Sequence, residues 1–302
     1  MSEIYVAPIS LGLGDLVVSL PAIQALVAKT EDGTHQTWLV ARSAAQAALA
    51  ERIDGLTGSV DEASFDASRS GGRFIDLRDH PMQRDYWWGS PEFDQAYGPL
   101  AINDILQQIS GDFGIDADFT RPAPLRSSRR SDVRDMVLFV TESDGPTKRW
   151  AAERWATVAE WARVSGSDAR AVVRAAPAPP WREFGINEIE APTPGVAVDL
   201  LSSCRAVVGI DTGLTHVAVQ QGTPTVLLCR DRPVYFRPWP HSRVVAGGAC
   251  VEPCLVKERE LAYNASVSLR GFHPQVRVCP AGTPCMNAIT PAPVIAALEA
   301  LW

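Results

Sequence analysis

The stretch from Ala206 to Leu228, AVVGIDTGLTHVAVQQGTPTVLL, constrains the fold more than any other part of the chain. Val207 to Ile210 is a continuous apolar run, the pattern of a strand buried on both faces. Asp211 or Thr212 then offers an N-cap oxygen. Gly213 permits close backbone approach or a positive φ at the turn. Leu214, Val217, Ala218 and Gln221 share one helical face. Gly222-Thr223-Pro224 ends that helix, and Pro224 to Leu228 reads as a second buried strand. A helix that opens at the C-terminal end of a parallel strand presents N–H groups and the positive end of its dipole, a site suited to phosphate. An ordinary βαβ turn has the same pattern. The crowding of Asp211, Thr212, Gly213 and His216 at one strand end favours a functional turn.

The first part of the chain repeats the strand–turn–helix theme. Ile4 to Ile9 reads as a strand and Ser10-Leu11-Gly12-Leu13-Gly14-Asp15 as a Gly-rich turn. Leu16 to Ala28 follows as a helix with Leu16, Leu20, Ile23 and Val27 on one stripe. Pro21 inside it predicts a kink or a later helix start. The dinucleotide fingerprint is incomplete, because Val17 occupies the third glycine's place. Asp15 either caps the helix, worth about 1 kcal/mol, or faces a cleft as a general base. Thr37 to Ala41 is a second strand, Ser43 to Arg52 a helix, and Arg73 to Leu77 a third strand followed by Arg78, Asp79 and His80. Between Pro81 and Pro99, Tyr86, Trp87, Trp88, Phe93 and Tyr97 sit among Pro, Gly and Asp. Such a segment either lines a sugar pocket or packs as a lid on the domain surface. Ile102 to Ile109 returns to helix.

Pro122, Pro124 and a run of arginines between Thr120 and Asp132 read as an interdomain linker. Met136 to Thr141 opens the second half as a strand. Lys148 lies just before a helix from Ala152 to Ser165, where a cation is unfavourable unless an anion binds. The ordinary alternative is an exposed lysine. Ala171 to Arg174 is a further strand, Val196 to Ser203 a helix, Val244-Val245 a small strand, and Pro291 to Trp302 a closing helix with Pro in its first turn.

A chain of 302 residues suits two domains. Its net charge of −7 argues against a general binder of nucleic acid or anionic membrane. The first residues lack the pattern of a signal peptide, and no apolar run is long enough for a transmembrane helix. Cytoplasmic residence is the expectation, with cysteines reduced or metal-bound. Cys204 and Cys229 read as small buried hydrophobes. Cys250, Cys254, Cys279 and Cys285 form two close pairs, as in a structural zinc or iron site of four thiolates. Their spacing is looser than that of paired CxxC motifs, and reduced thiols or disulfides are the alternatives. No catalytic metal is expected.

Ser10-Leu-Gly-Leu-Gly-Asp15 with Leu20-Pro21-Ala22 resembles the N-terminal signature of glycosyltransferase family 9, the bacterial heptosyltransferase family. Lys148-Arg149-Trp150 with Trp155 is similar to a second family element. Asp211-Thr212-Gly213-Leu214, His216, Ala218 and Gly222-Thr-Pro-Thr225 are similar to its most specific motif, and Cys285-Met286 with Ile289 to a fourth. The resemblance implies an α/β chain with two Rossmann-like domains facing a central cleft, the GT-B architecture. Residues 1–126 would form the acceptor domain, and 133–290 the nucleotide-sugar domain with a Cys-rich segment at 250–285. The helix at 291–302 would pack back on the first domain.

The implied activity is inverting transfer of a sugar, heptose by family, from a nucleotide-diphosphate donor of ADP-heptose type to a hydroxyl acceptor. Asp15 would be the general base. Thr141, Lys148, Thr212, Gly213, Leu214 and His216 would hold the donor's phosphate side, and Asp211 its sugar hydroxyls. Gly14, Trp87 and Trp88 would lie on the acceptor side. The chain departs from the family after Arg174, where Ala175 to Trp181 replaces a turn bearing an acidic group, with Glu183 as the nearest substitute. The stretch between Cys254 and Cys279 is longer than the family pattern and is a candidate for acceptor or homo-oligomer contacts. A sugar-nucleotide epimerase and a non-catalytic binding protein built on a metal knuckle are the competing readings.

Overall fold

The computed structural model describes residues 2–29, 35–86, 88–143, 146–174, 181–230, 237, 239–248, 279 and 282–302. The chain divides into two compact units, Met1–Arg126 and Ser127–Trp302.

The first unit holds β1 (Ser2–Ala7), α1 (Leu13–Ala28), β2 (His35–Ala41), α2 (Ala44–Ala50), β3 (Gly58–Asp61), β4 (Arg73–Asp76), α3 (Pro81–Arg84), α4 (Pro91–Tyr97) and α5 (Ile102–Asp112). Its strands form one parallel sheet in the order β3-β2-β1-β4. Alternation of strand and helix dictates this, because a parallel neighbour needs a crossover long enough to return along the sheet. α1 begins at Leu13 and runs through Pro21 without interruption, so the delayed start expected from the proline does not occur. Residues Leu16 to Ile23 of that helix are all buried, as are Leu26 and Val27. Each fully buried Leu or Ile contributes about 1.5–3 kcal/mol. That burial outweighs the single backbone bond that Pro21 cannot make.

The aromatic segment after β4 is packed rather than open. Trp88 is 1% exposed and its Nε1–H donates to the Met82 carbonyl at 2.9 Å. Phe93 is fully buried, with Tyr97 at 5.2 Å and Tyr86 at 6.2 Å between ring centroids. Ser90 caps α4 by accepting from the Phe93 amide, with Pro91 at its first position. α5 buries Ile102, Ile105, Leu106 and Ile109, the spacing of one helical face.

The second unit holds β5 (Met136–Val140), α6 (Ala152–Val164), β6 (Asp168–Val173), β7 (Asn187–Glu190), α7 (Pro194–Leu201), β8 (Ala206–Ile210), α8 (Gly213–Gln220), β9 (Thr225–Cys229), β10 (Ser242–Ala246), α9 (Pro284–Ala288) and α10 (Pro291–Glu299). All six strands are parallel, in the order β10-β9-β8-β5-β6-β7. This is the order of a nucleotide-binding Rossmann sheet, whose two halves diverge from β5 and β8. Every residue of β8 and β9 is buried, as their unbroken apolar runs require. Gly209 lets α8 lie close on β8, since a Cβ there would stand 2.2 Å from Thr215 Oγ1.

The closing helix, α10, packs against α6, β9 and β10, and Val294 and Leu298 are fully buried in the second unit's core. Its apolar stripe lies beside Cys285, Met286 and Ile289. Trp302 stacks on Trp161 at 4.7 Å, and the Arg205 guanidinium covers it at 4.0 Å.

Candidate functional site

In an open parallel sheet the ligand crevice lies at the C-terminal ends of the two strands where the order reverses. In the second unit these are β5 and β8, paired with Val140 opposite Gly209. The chain leaves β5 through Thr141 and makes a short turn of helix at Pro146–Lys148. It leaves β8 through Asp211 and Thr212 into α8. Four candidates from separate parts of the sequence therefore gather at one sheet edge.

Lys148 Nζ donates to Asp211 Oδ2 at 2.8 Å and to the Asp211 carbonyl at 3.0 Å. His216 Nε2 lies 3.3 Å from the other carboxylate oxygen, Oδ1. Burial alone would raise the Asp211 carboxyl. The Lys148 charge, the His216 hydrogen bond and charge, and the Lys148 hydrogen bond outweigh it and hold the group well below the usual carboxylate range. Both Asp211 oxygens are thus occupied by protein groups. Asp211 thereby ties Lys148, which follows β5, to His216 on α8.

α8 opens beside this cluster. Thr212 is its N-cap but makes no side-chain cap bond, and the first-turn amides of Gly213 and Leu214 have no acceptor within the helix. Thr141 is 5% exposed, and its buried hydroxyl has no hydrogen-bond partner among the described residues. A buried hydroxyl left unpaired costs about 1–3 kcal/mol unless something binds it. One cation entered unannounced by any motif: Arg230, at the end of β9, donates through Nη1 to Thr147 Oγ1 at 3.2 Å, beside Lys148. Nothing in the sequence flags it, because its neighbourhood depends on β9 lying next to β8.

In the first unit, Asp15 sits in the first turn of α1, half-buried, and its Oδ2 accepts from the Gly12 amide at 2.8 Å. A Cβ on Gly12 would stand 2.8 Å from that same oxygen, so the residue must be glycine for the carboxylate to lie there. Gly14 is half-buried in the same turn. The C-terminal ends of this sheet's strands carry an ion network. Arg42, after β2, pairs with Asp76 at 2.6 Å and Glu62 at 3.4 Å; Arg78 pairs with Glu62 at 3.1 Å and Asp76 at 3.4 Å.

The Trp88 ring is enclosed and its N–H already bonded, so it anchors the segment it belongs to. Trp87 lies outside the described residues. Of the four late cysteines, Cys250 and Cys254 also lie outside them; Cys279 is half-buried and Cys285 is 6% exposed in the core of the second unit. Among the described residues no group of three or more His, Cys, Asp or Glu could hold a metal, and no helix is long and apolar enough to cross a membrane.

Residues 193–263 match the family model described as glycosyltransferase family 9 (heptosyltransferase). That span takes in α7, β8, α8 and β9, and with them the Asp211-to-His216 cluster. Comparison with curated protein sequences found no match. Among solved structures the chain is similar to the glycosyl transferase family 9 protein of Veillonella parvula DSM 2008, at 16% identity and a TM-score of 0.68, covering 99% of this chain and 97% of that one. It is similar to E. coli ADP-heptose lps heptosyltransferase II at 18% identity and TM-score 0.60, covering 100% and 98%. It is also similar to the iron-containing dodecameric glycosyltransferase TibC of enterotoxigenic E. coli H10407, at 18% identity and TM-score 0.67, covering 99% and 76%. At these identities the likeness establishes the fold, an α/β chain of GT-B type.

Proposed function

We propose, for a chain that resembles glycosyltransferase family 9 in sequence and is GT-B in fold, that it is an inverting glycosyltransferase drawing on a nucleotide-diphosphate sugar of ADP-heptose type. The observation that carries the reading is the cluster at the β5/β8 switch point. There a lysine, a helix N-terminus and a buried hydroxyl with no partner among the described residues meet at the C-terminal ends of the central strands, where nucleotides bind. The heptosyltransferases among similar structures support the donor class.

In the proposed reaction the Asp15 carboxylate takes the proton from an acceptor hydroxyl. The acceptor oxygen forms its bond to the anomeric carbon from the face opposite the diphosphate. The bond from that carbon to the diphosphate oxygen breaks, and the nucleoside diphosphate leaves with the electron pair. Charge grows on the leaving phosphate, where Lys148, the amides of Gly213 and Leu214, and the hydroxyls of Thr141 and Thr212 stabilise it. Asp211 and His216 hold Lys148 in place, and Asp211 can still receive sugar hydroxyls at its solvent side. Gly14 and Trp87 remain assigned to the acceptor side. A nucleotide-sugar donor and reduced thiols suit the cytoplasm as the site of action.

We further assign Cys250, Cys254, Cys279 and Cys285 to a structural zinc or iron site, supported by their pairing in sequence and by the iron content of the dodecameric relative. The two described thiols do not by themselves make a site, so metal analysis of the purified chain against a Cys250→Ser/Cys254→Ser variant is the check. The same relative supports a homo-oligomer.

A panel of nucleotide sugars tests the activity. ADP-heptose should raise the melting temperature most and release ADP on turnover, with Asp15→Asn lowering kcat by about 100-fold or more. Full turnover by Asp15→Asn removes the base assignment. Protection by no nucleotide sugar removes the donor class.

A further inference from the structure

We propose that Gln46 and Gln83 are positioning residues for the Asp15 carboxylate, holding the Gly-rich turn by its carbonyl groups so that the Gly12 amide aims the carboxylate. The proposal rests on the reading of Asp15 as the base. The turn between β1 and α1 is fixed chiefly by side chains. Gln46, fully buried on α2, donates through Nε2 to the Ser10 carbonyl at 2.9 Å and to the Gly12 carbonyl at 2.8 Å. Gln83, on α3, donates through Nε2 to the Ile9 carbonyl at 3.1 Å. Two helices that meet nowhere in sequence thus grip neighbouring peptides of one turn.

The Gln46 amide has a single workable orientation. Its Oε1 accepts from the Arg42 amide at 2.9 Å, at the end of β2. Reversed, its oxygen would face two carbonyl oxygens and its NH2 an N–H. Arg42 is itself anchored, its guanidinium side chain fully buried against Asp76 and Glu62. The grip on the turn is therefore referenced to three strands of the sheet. On the other side of the turn the Gly12 amide donates to Asp15 Oδ2 at 2.8 Å, and the Ser19 hydroxyl donates to the Asp15 carbonyl at 2.7 Å. A displacement of about 1 Å at a catalytic group can cost about 100-fold in rate. A carboxylate that accepts from an amide of a Gly-rich turn keeps its aim only while that turn is held.

The test uses the full chain, with ADP-heptose as the probe and ADP release to water or acceptor as the readout. Gln46→Met removes all three bonds at similar volume. Gln46→Glu keeps the acceptor for the Arg42 amide but sets an ionised oxygen against two carbonyls; only its protonated form can donate to one of them. We expect both variants, and Gln83→Met, to lower kcat by about 10- to 100-fold with the donor KM within about twofold. The Gln46→Glu to wild-type ratio should fall as pH rises, whereas the Gln46→Met ratio stays flat. In an Asp15→Asn background the further loss should vanish, because both changes act through one group.

An activity-independent readout accompanies these. The Gly12 amide proton shift should follow Asp15 ionisation in the wild type, lose at least half of that amplitude in Gln46→Met, and lose all of it in Asp15→Asn. Gln83→Met, which touches the turn at one carbonyl only, serves if the Gln46 variants do not fold. Undiminished kcat and an unchanged Gly12 titration in the glutamine variants, or a loss that persists in full without Asp15, overturn the proposal. If Asp15→Asn keeps full turnover, the base reading itself falls, whatever the glutamine variants do.

Discussion

Asp211→Asn isolates the energetics of the switch-point cluster. The substitution keeps the shape and removes the charge that Lys148 and His216 share. At 2.8 Å and an effective dielectric constant of about 20, the Coulomb attraction to Lys148 is about 6 kcal/mol. The Asp211 and Lys148 side chains are 26% and 25% exposed, so water screens part of this. What remains is the net worth of a charged hydrogen bond, about 1.5–3 kcal/mol, plus a smaller share from the longer His216 contact. The expected loss is about 2–4 kcal/mol at pH 7, or about 4–16 °C in melting temperature for a unit of this size.

The pH dependence has a fixed sign. A carboxyl held low in the folded state contributes fully above its unfolded value of about 3.9, and the contribution is lost as pH falls from there toward the folded value. The gap between wild type and Asp211→Asn should therefore narrow below about pH 4, by up to about 1.4 kcal/mol per pH unit. Urea unfolding followed by tryptophan fluorescence reads it, since Trp150 and Trp155 lie buried in this unit's core. A cycle with Lys148→Met should give a coupling of about 1–3 kcal/mol. A variant within about 0.5 kcal/mol of wild type at pH 7 would refute the reasoning, as would a gap that widens with acid.

Gly12→Ala places a Cβ against Asp15 Oδ2 and should lower kcat by about 10-fold or more, with a small change in melting temperature; steady-state ADP release measures it. Trp88→Ala should destabilise the first unit by about 3–5 kcal/mol, because the ring is enclosed; a urea midpoint near wild type would return Trp88 to the surface. Cys204, its thiol pushed up to about 12 by burial, should stay unlabelled by iodoacetamide at pH 8 until the chain unfolds; peptide mapping of the alkylated protein shows this.

Much of the fold was legible because burial leaves a trace in sequence. β8 and β9 are enclosed on both faces, so they had to be unbroken apolar runs, and α5 declares its buried face by spacing. β3 and β7 left no such trace. Gly58–Asp61 and Asn187–Glu190 lie at sheet edges, half-covered and short of apolar residues, and only pairing with β2 and β6 makes them strands. The aromatic segment was ambiguous for a related reason: a tryptophan suits a core as well as a sugar face, and composition cannot say which way the ring of Trp88 turns.

For the site, the order of residues alone set which chemical groups were available and which turns they stood on. Asp15, Lys148, Asp211 and His216 each follow a strand or open a helix, and local rules suffice to find such positions. Their partners came from the way each unit packs. Strand order put Lys148 against Asp211 and Arg230 against Thr147, and the packing of α2 and α3 put Gln46 and Gln83 against the Gly-rich turn. Those pairings join residues far apart in the chain, and hydrogen bonds across such distances follow from how the sheet is wound, which no local stretch encodes.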